Sequence, residues 1–401
     1  MKLPERRSGT GGRGREGRPK SAGRLPGTGG HGHEESAEAS TRRSGGAASR
    51  DRAAPRLTPS QFDRAFTLVK DLVHEGTVPC AILAVADKDM VLRTEAFGSQ
   101  NGTLLRNDDV SPVFSVTRPV VAAATAQLWE RGLLGLHEPV WTYLPRFKEN
   151  GKDGVLVRHL LTHTSGLSEA GPLEAMRKGG APGELEKAVL DTPLDAAPGS
   201  RQRDSNAAFV ALGMIIRAVS GIPHPEYLEQ EIFSPLGMKS TGFDPSQLHA
   251  RRVLSIPNMP DLGMCPRMEQ FIPLRLAAAG MWSTAADLLR FGQLFLSRGR
   301  SGRRQVLSPA TCLAMMSPQT SGIPSFVPGD FDGFSMGLGW YIPVLPNHAL
   351  IALDGVVHSG AGGCQLFVSE RWGLAVAVIT ARIRLRTENI LNAVLGCLGP
   401  A

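Results

Sequence analysis

The chain is 401 residues long, 42% of them hydrophobic and 20% charged, with a formal net charge of +7. That length and apolar content are enough for a large buried core and exclude a chain that is disordered throughout. Five cysteines, at 80, 265, 312, 364 and 397, are odd in number and show no Cys-x-x-Cys spacing, so they imply neither a disulfide framework nor a metal cluster.

Residues 1–57 read as a basic leader. Positions 1–56 hold thirteen Lys and Arg against six Asp and Glu, so they carry the whole surplus charge and the remainder is formally neutral. Gly, Arg and Ser dominate the leader, and with almost no large apolar side chains it cannot offset its chain entropy by burial, which predicts disorder. Its charge suits an anionic surface or an acidic partner. It lacks the interleaved aromatics of single-strand binders, so no specific nucleic-acid binding is expected. No apolar run resembles a signal-peptide core or is long enough to be a transmembrane segment, and a soluble, cytoplasmic protein is the default expectation. An Arg-rich leader also suits organelle import, against which Glu16, Glu34, Glu35 and Glu38 weigh.

The folded region, 58–401, opens with SQFDRAFTLVKDLVHEG, where Phe62, Phe66, Val69 and Val73 recur at helical spacing before Gly76. CAILAVA and MVLRTEAF, separated by DKD, predict a β-hairpin on which that helix lies. A helix follows Ser115, with Pro119 in its first turn and alanines at 122, 123, 124 and 126 that let neighbours approach, so it is expected to be central and buried. AAFVALGMIIRAVSG predicts a helix stopped by Gly221. TAADLLRFGQLFLSRG predicts another, with a Thr284/Asp287 capping-box start and a stop at Gly299. FSMGLGWYIPV, VVHSG, CQLFV and LAVAVIT then read as strands, and TENILNAVLGCLG as a closing helix. The order predicts one sheet built from both ends of the chain, 58–112 and 290–401, with a helical region, 113–289, inserted.

Three short motifs stand in order: SVTR at 115–118, DSN at 204–206 and HSG at 358–360, with VRHLLTHTSGL at 157–167 between the first two. A serine before a helix is by itself an ordinary N-cap. With ERGLLGLHEPVWTYLP, PLGM, AAGMWSTAADLLRF and MGLGW around them, the motifs resemble the serine β-lactamase-related family: class C β-lactamases, penicillin-binding carboxypeptidases, family VIII esterases and their eukaryotic relatives. The resemblance implies an α/β (α+β) fold of the β-lactamase/transpeptidase type. Its mainly antiparallel sheet is flanked by helices, an all-helical region adjoins it, and the active site lies between.

The resemblance also implies roles. In the family a serine of Ser-x-x-Lys attacks a carbonyl, the lysine and the tyrosine of Tyr-x-Asn move the proton, and a third motif lines the opposite wall. By position Ser115 is the nucleophile, Asn206 an orienting amide, and His358 and Gly360 the wall, while the N–H groups of Ser115 and Ala361 form the oxyanion hole. Two positions depart: Arg118 stands for the lysine and Asp204 for the tyrosine. Arginine stays protonated and accepts no hydrogen bond, so Arg118 supplies charge but not a general base, and a bidentate Arg118–Asp204 pair is expected across the cleft. His358 is a further candidate for the serine proton.

Two functions fit this pattern. One is a weak or specialised esterase, amidase or transacylase working through a Ser115 acyl-enzyme on a small-molecule ester or amide. The other is a pseudoenzyme that binds or scaffolds. A third role, attachment to an anionic surface through the leader with the domain as cargo, is carried by charge alone. No cofactor and no metal is implied; His159 and His163 have metal-pair spacing but no third ligand nearby, and Trp282 and Trp340 read as core. Oligomeric state is not encoded in these patterns.

Overall fold

The first and last segments of the folded region pair edge to edge. In the computed structural model, β1 (Cys80–Ala86) runs antiparallel to β8 (Leu374–Thr380), with Ile82 opposite Ile379 and Ala84 opposite Ala377. The structure describes residues 57–248, 252–256, 267–325, 333–343, 355–382 and 387–398, so nearly all of the leader lies outside it. Leu57, at the leader's end, is buried in the first core layer described below.

Eight strands form the sheet. Besides β1 and β8 they are β2 (Val91–Gln100), β3 (Thr103–Leu104), β4 (Phe334–Met336), β5 (Tyr341–Pro343), β6 (Val356–Gly360) and β7 (Cys364–Ser369). The order is β3-β2-β1-β8-β7-β6-β5-β4, antiparallel at each pairing. Its strands come from the two ends of the folded region, with a helical segment between β3 and β4 in the chain.

Strand alternation sorts the core into two layers. On one face Ala81, Leu83 and Val85 of β1 and Leu374, Val376 and Val378 of β8 meet Phe66 and Val69 of α1 (Asp63–His74). Ile390, Leu391 and Val394 of the closing helix complete that layer. On the other face Ile82, Ala84, Ala375, Ala377 and Ile379 join the large core shared with three helices: α2 (Thr117–Glu130), α3 (Asn206–Ser220) and α4 (Ala285–Leu296). The closing helix is α5 (Glu388–Leu395).

Small residues on the second face let α4 lie close. A Cβ on Gly292 would stand 2.9 Å from the Ala375 Cβ. Phe291 and Phe295 of α4 clasp Trp340 with centroid separations of 6.2 and 5.4 Å, and Trp282 and Trp340 are both core residues. Helix α4 packs on β1, β7 and β8.

Helix α4 differs from its sequence reading in two ways. Thr284 Oγ1 accepts the Asp287 N–H at 3.1 Å, but the Asp287 carboxylate turns away from a reciprocal box. It accepts instead from Ser240 N–H at 2.8 Å and Thr241 Oγ1 at 3.0 Å, and pairs with Arg290. A tertiary contact thus takes the acid that local geometry would use. The helix ends at Leu296, before Gly299, because Arg298 already turns left-handed at φ 51°. By contrast α3 ends at Gly221 as expected, with φ 75°.

Among the described residues Cys80, Cys312, Cys364 and Cys397 are free thiols, and no single helix is long and apolar enough to cross a membrane. Cys265 lies outside the described residues. Gly292→Val forces branched atoms against β8 and is expected to cost about 1–3 kcal/mol, read as a lower urea midpoint at an unchanged slope; an unshifted midpoint would refute the close packing of α4.

Candidate functional site

Ser115 is presented by a turn that the surrounding backbone forces. Phe114 has φ 46°, a left-handed conformation that costs a non-glycine residue about 1–3 kcal/mol and persists only where the surroundings over-determine it. Here the Val113 N–H donates to Met281 O at 3.0 Å, and Thr117 Oγ1 donates to Phe114 O at 2.6 Å while accepting from Met281 N–H at 3.1 Å. Ser115 is half-buried, and among the described residues its hydroxyl has no hydrogen-bond partner. It does not cap α2, whose N-cap position is Val116.

The HSG strand, β6, closes on this turn. A Cβ on Gly360 would lie 2.1 Å from Val113 O, and one on Gly362 would lie 2.7 Å from the Phe114 ring. Only glycine permits that approach, which carries Ala361 up to the Ser115 turn. By strand alternation His358 shares Gly360's face of β6.

Arg118 follows Ser115 by one helical turn and is 2% exposed. Its Nη1 lies 2.6 Å from Asp204 Oδ1 in an ion pair. Its Nη2 donates to Asn206 Oδ1 at 3.1 Å. The expected bidentate pair is therefore not what forms: the fork is split between a carboxylate and an amide. Burial disfavours the guanidinium charge, but Asp204 overrides it and raises the Arg118 pKa, leaving a fixed cation.

Asp204 sits deep yet opens onto solvent, with 47% of its side chain exposed. Burial opposes its charge, but Arg118, assisted by His163 and His358, holds its pKa down at about 2. Asn206 is fixed from behind by Glu169, which sequence reasoning missed. Glu169 is nearly buried and accepts from Ser205 Oγ at 2.7 Å, Ala207 N–H at 3.0 Å and Asn206 Nδ2 at 3.2 Å. Its carboxylate serves the free N–H groups at the start of α3 and sets which end of the Asn206 amide faces Arg118.

Three aromatic side chains stack behind Asp204. Tyr341, on β5 beside Val357 of β6, donates its hydroxyl to Asp204 Oδ2 at 3.1 Å. Its ring stacks on His358 at 4.5 Å and on His163 at 6.3 Å. Gly339 makes this placement possible: at φ 78° it rests on α2, where a Cβ would come within 2.4 Å of the Ala122 Cβ. Tyr341 was also missed, and His163 was read only as half of a metal-spaced pair. The only signals were that Tyr341 directly follows GLGW and that His163 lies in HLLTHTSG.

The two buried histidines are neutral for the same reason. Burial, then the Arg118 charge, lowers the His163 pKa to about 3 and takes that of His358 well below its usual value. His163 Nδ1 accepts the Ser205 N–H at 3.1 Å, which leaves its proton on Nε2. His358 Nδ1 lies 3.1 Å from Ser359 O, an acceptor, so its proton is on Nδ1 and Nε2 carries a lone pair. Both Nε2 atoms are buried without a hydrogen-bond partner among the described residues. Burial, with Asp204 beside it, raises the Tyr341 pKa, so its hydroxyl stays protonated. His159 does not join His163 as a ligand pair, since its Nδ1 accepts the Leu156 N–H at 3.2 Å. No group of three His, Cys, Asp or Glu fit to hold a metal occurs among the described residues.

The segments SVTR, DSN and HSG thus converge in chain order, β6 closing on the Ser115 turn and Arg118 reaching Asp204 and Asn206. The family model described as "Beta-lactamase" matches residues 66–392. The chain belongs to the beta-lactamase family. Among its relatives, the D-alanyl-D-alanine-carboxypeptidase/endopeptidase AmpH of Escherichia coli is 30% identical over 265 residues, 64% of this chain and 66% of AmpH. Esterase EstB of Burkholderia gladioli is 28% identical over 359 residues, 77% of this chain and 87% of EstB. A penicillin-binding protein homolog from Caulobacter crescentus shares the fold at a TM-score of 0.72 and 20% identity, covering 86% of this chain and 99% of that one. These relatives of the beta-lactamase family include hydrolases of esters and amides.

Neutral burial of His163 makes stability depend on pH. Below about 6.5 the unfolded chain binds a proton at this ring that the folded chain refuses, so stability falls with pH down to about 3, by about 1.4 kcal/mol per pH unit for each such ring. Asp204 has a separate window: its contribution is complete above about 4 and is lost as pH falls through about 2. His163→Asn, tolerated at φ 56°, is expected to flatten the slope of unfolding free energy against pH in the mildly acidic range by about one proton. An unchanged slope would show that His163 titrates freely in the folded protein.

Proposed function

We propose that the chain is a slow serine acyl-transfer enzyme, an esterase or amidase for small activated substrates, with Ser115 as nucleophile. The observation that carries the reading is the turn that presents Ser115, left-handed at Phe114 and closed on by β6 through Gly360; among the described residues the Ser115 hydroxyl has no hydrogen-bond partner. Relatives named as an esterase and a carboxypeptidase support the same class of chemistry.

In this reading Ser115 Oγ adds to the substrate carbonyl, and the oxyanion faces the N–H groups of Ser115 and Ala361. The serine proton passes through water to the departing alkoxide or amine as the carbon–oxygen or carbon–nitrogen bond breaks, and water then cleaves the Ser115 ester. Arg118 is a fixed cation and Asp204 is held at about 2, so neither takes the proton. Loss of that assistance slows acylation by about 10²–10⁴-fold relative to a site with a positioned base. Arg118 and Asn206 keep a structural part, holding the floor of the cleft. The leader, 1–57, stands outside this chemistry.

A second reading, a binding protein without turnover, is favoured by the same split fork, because Arg118 is committed to Asp204 and Asn206. A fluorophosphonate probe separates the two. Labelling is expected on Ser115 by mass spectrometry, absent in Ser115→Ala and unaffected by deleting 1–56; a folded protein that stays unlabelled rejects the enzymatic reading. Arg118→Lys with Asp204→Tyr is expected to raise p-nitrophenyl ester hydrolysis by about 10²-fold or more, whereas no gain would locate the deficit outside proton transfer.

A further inference from the structure

The charges of the cleft are unequally accessible. Asp204 shows 47% of its side chain to solvent, while its counter-ion Arg118 is 2% exposed, with Nη1 on Asp204 and Nη2 on Asn206. Tyr341 donates a neutral hydroxyl to Oδ2, and His163 and His358 are neutral rings, 1% and 0% exposed, while the nearby Glu169 is itself nearly buried and engaged with Ser205, Asn206 and Ala207. A ligand entering here meets a carboxylate whose balancing cation it cannot touch. Among the described residues each Asp204 oxygen has one partner, Arg118 at Oδ1 and Tyr341 at Oδ2, and so keeps accepting capacity.

We infer that Asp204 makes this cleft select acyl donors that are neutral or carry an ammonium group, and turns away those that carry a carboxylate. The inference deepens the acyl-transfer reading and rests on it for turnover, but the preference itself is a property of binding. An ammonium group gains an ion pair and a hydrogen bond at the open lone pairs of Asp204. A carboxylate meets like charge and finds Arg118 already engaged.

Three p-nitrophenyl esters of equal acyl length, ending in ammonium, methyl or carboxylate, test this on the full chain through release of p-nitrophenolate and the acyl mass on Ser115. In parallel, the corresponding non-reactive primary amides are titrated into Ser115→Ala by calorimetry or NMR. The ammonium member is expected to exceed the carboxylate member by about tenfold in both assays, one attraction plus one repulsion of the size of a solvent-exposed ion pair. The difference should shrink in high salt. Asp204→Asn should abolish or invert the order; should that variant misfold, the salt series on the unaltered residue decides the same point. Ordered binding without acylation of any ester would reject Ser115 turnover and leave the selectivity standing. Equal binding of the three amides, or tighter binding of the carboxylate, would overturn the inference.

Discussion

The cleft depends on one buried cation. Arg118 stands on the central helix of the fold, almost without solvent contact, where an unpaired guanidinium costs several kcal/mol. Asp204 and Asn206 answer that charge, and both lie at the entry to α3, so the ion pair also ties α2 to α3. Glu169 extends the constraint outward by fixing Asn206 and the first turn of α3. The neutrality of His163 and His358, imposed first by burial, is reinforced by the same charge, since a second cation beside Arg118 is disfavoured. A residue that cannot serve as a base has thereby become the element around which the polar interior is arranged.

Close backbone approach is the second constraint. Gly360 against Val113 and Gly339 against Ala122 bring β6 and β5 to within side-chain-free distance of the Ser115 turn and of α2. The alanine-rich face of α2 is the matching half of this fit. The polar network and the glycine seam address different parts of the cleft: the first fixes its charge, and the second fixes the spacing of its walls.

Much of this was legible in the sequence. Periodicity located α1, the β1–β2 hairpin, α3 and the C-terminal strands, because each buries one face and the pattern of that face is local. The three motifs singled out Ser115, Arg118, Asp204, Asn206, His358, Gly360 and Ala361; of these, Arg118 meets Asp204 and Asn206, and Gly360 closes on the turn that carries Ser115. What escaped was set by tertiary partners. Asp287 reads as a capping acid until Ser240 and Thr241 arrive from elsewhere in the chain. Glu169 lies in no motif and acquires meaning only where α3 begins. Tyr341 depends on the pairing of β5 with β6, a register that no local pattern specifies. The split of the Arg118 fork likewise required knowing that Asn206, and not only Asp204, comes within reach.

The pairing of β1 with β8 has a consequence for how the molecule comes into being. A ribosome delivers the Ser115 turn long before β6, β7 and β8, so during synthesis the hairpin β1–β2 has an open edge where β8 will later sit. Contacts so far apart in sequence form slowly, and an unpaired apolar edge such as CAILAVA is prone to join another chain in the interval. Any reactive cleft is therefore assembled last, and a nascent or C-terminally truncated chain holds its serine on a turn without a facing wall. Sensitivity to loss of the final strands is built into this topology, independently of how stable the finished protein is.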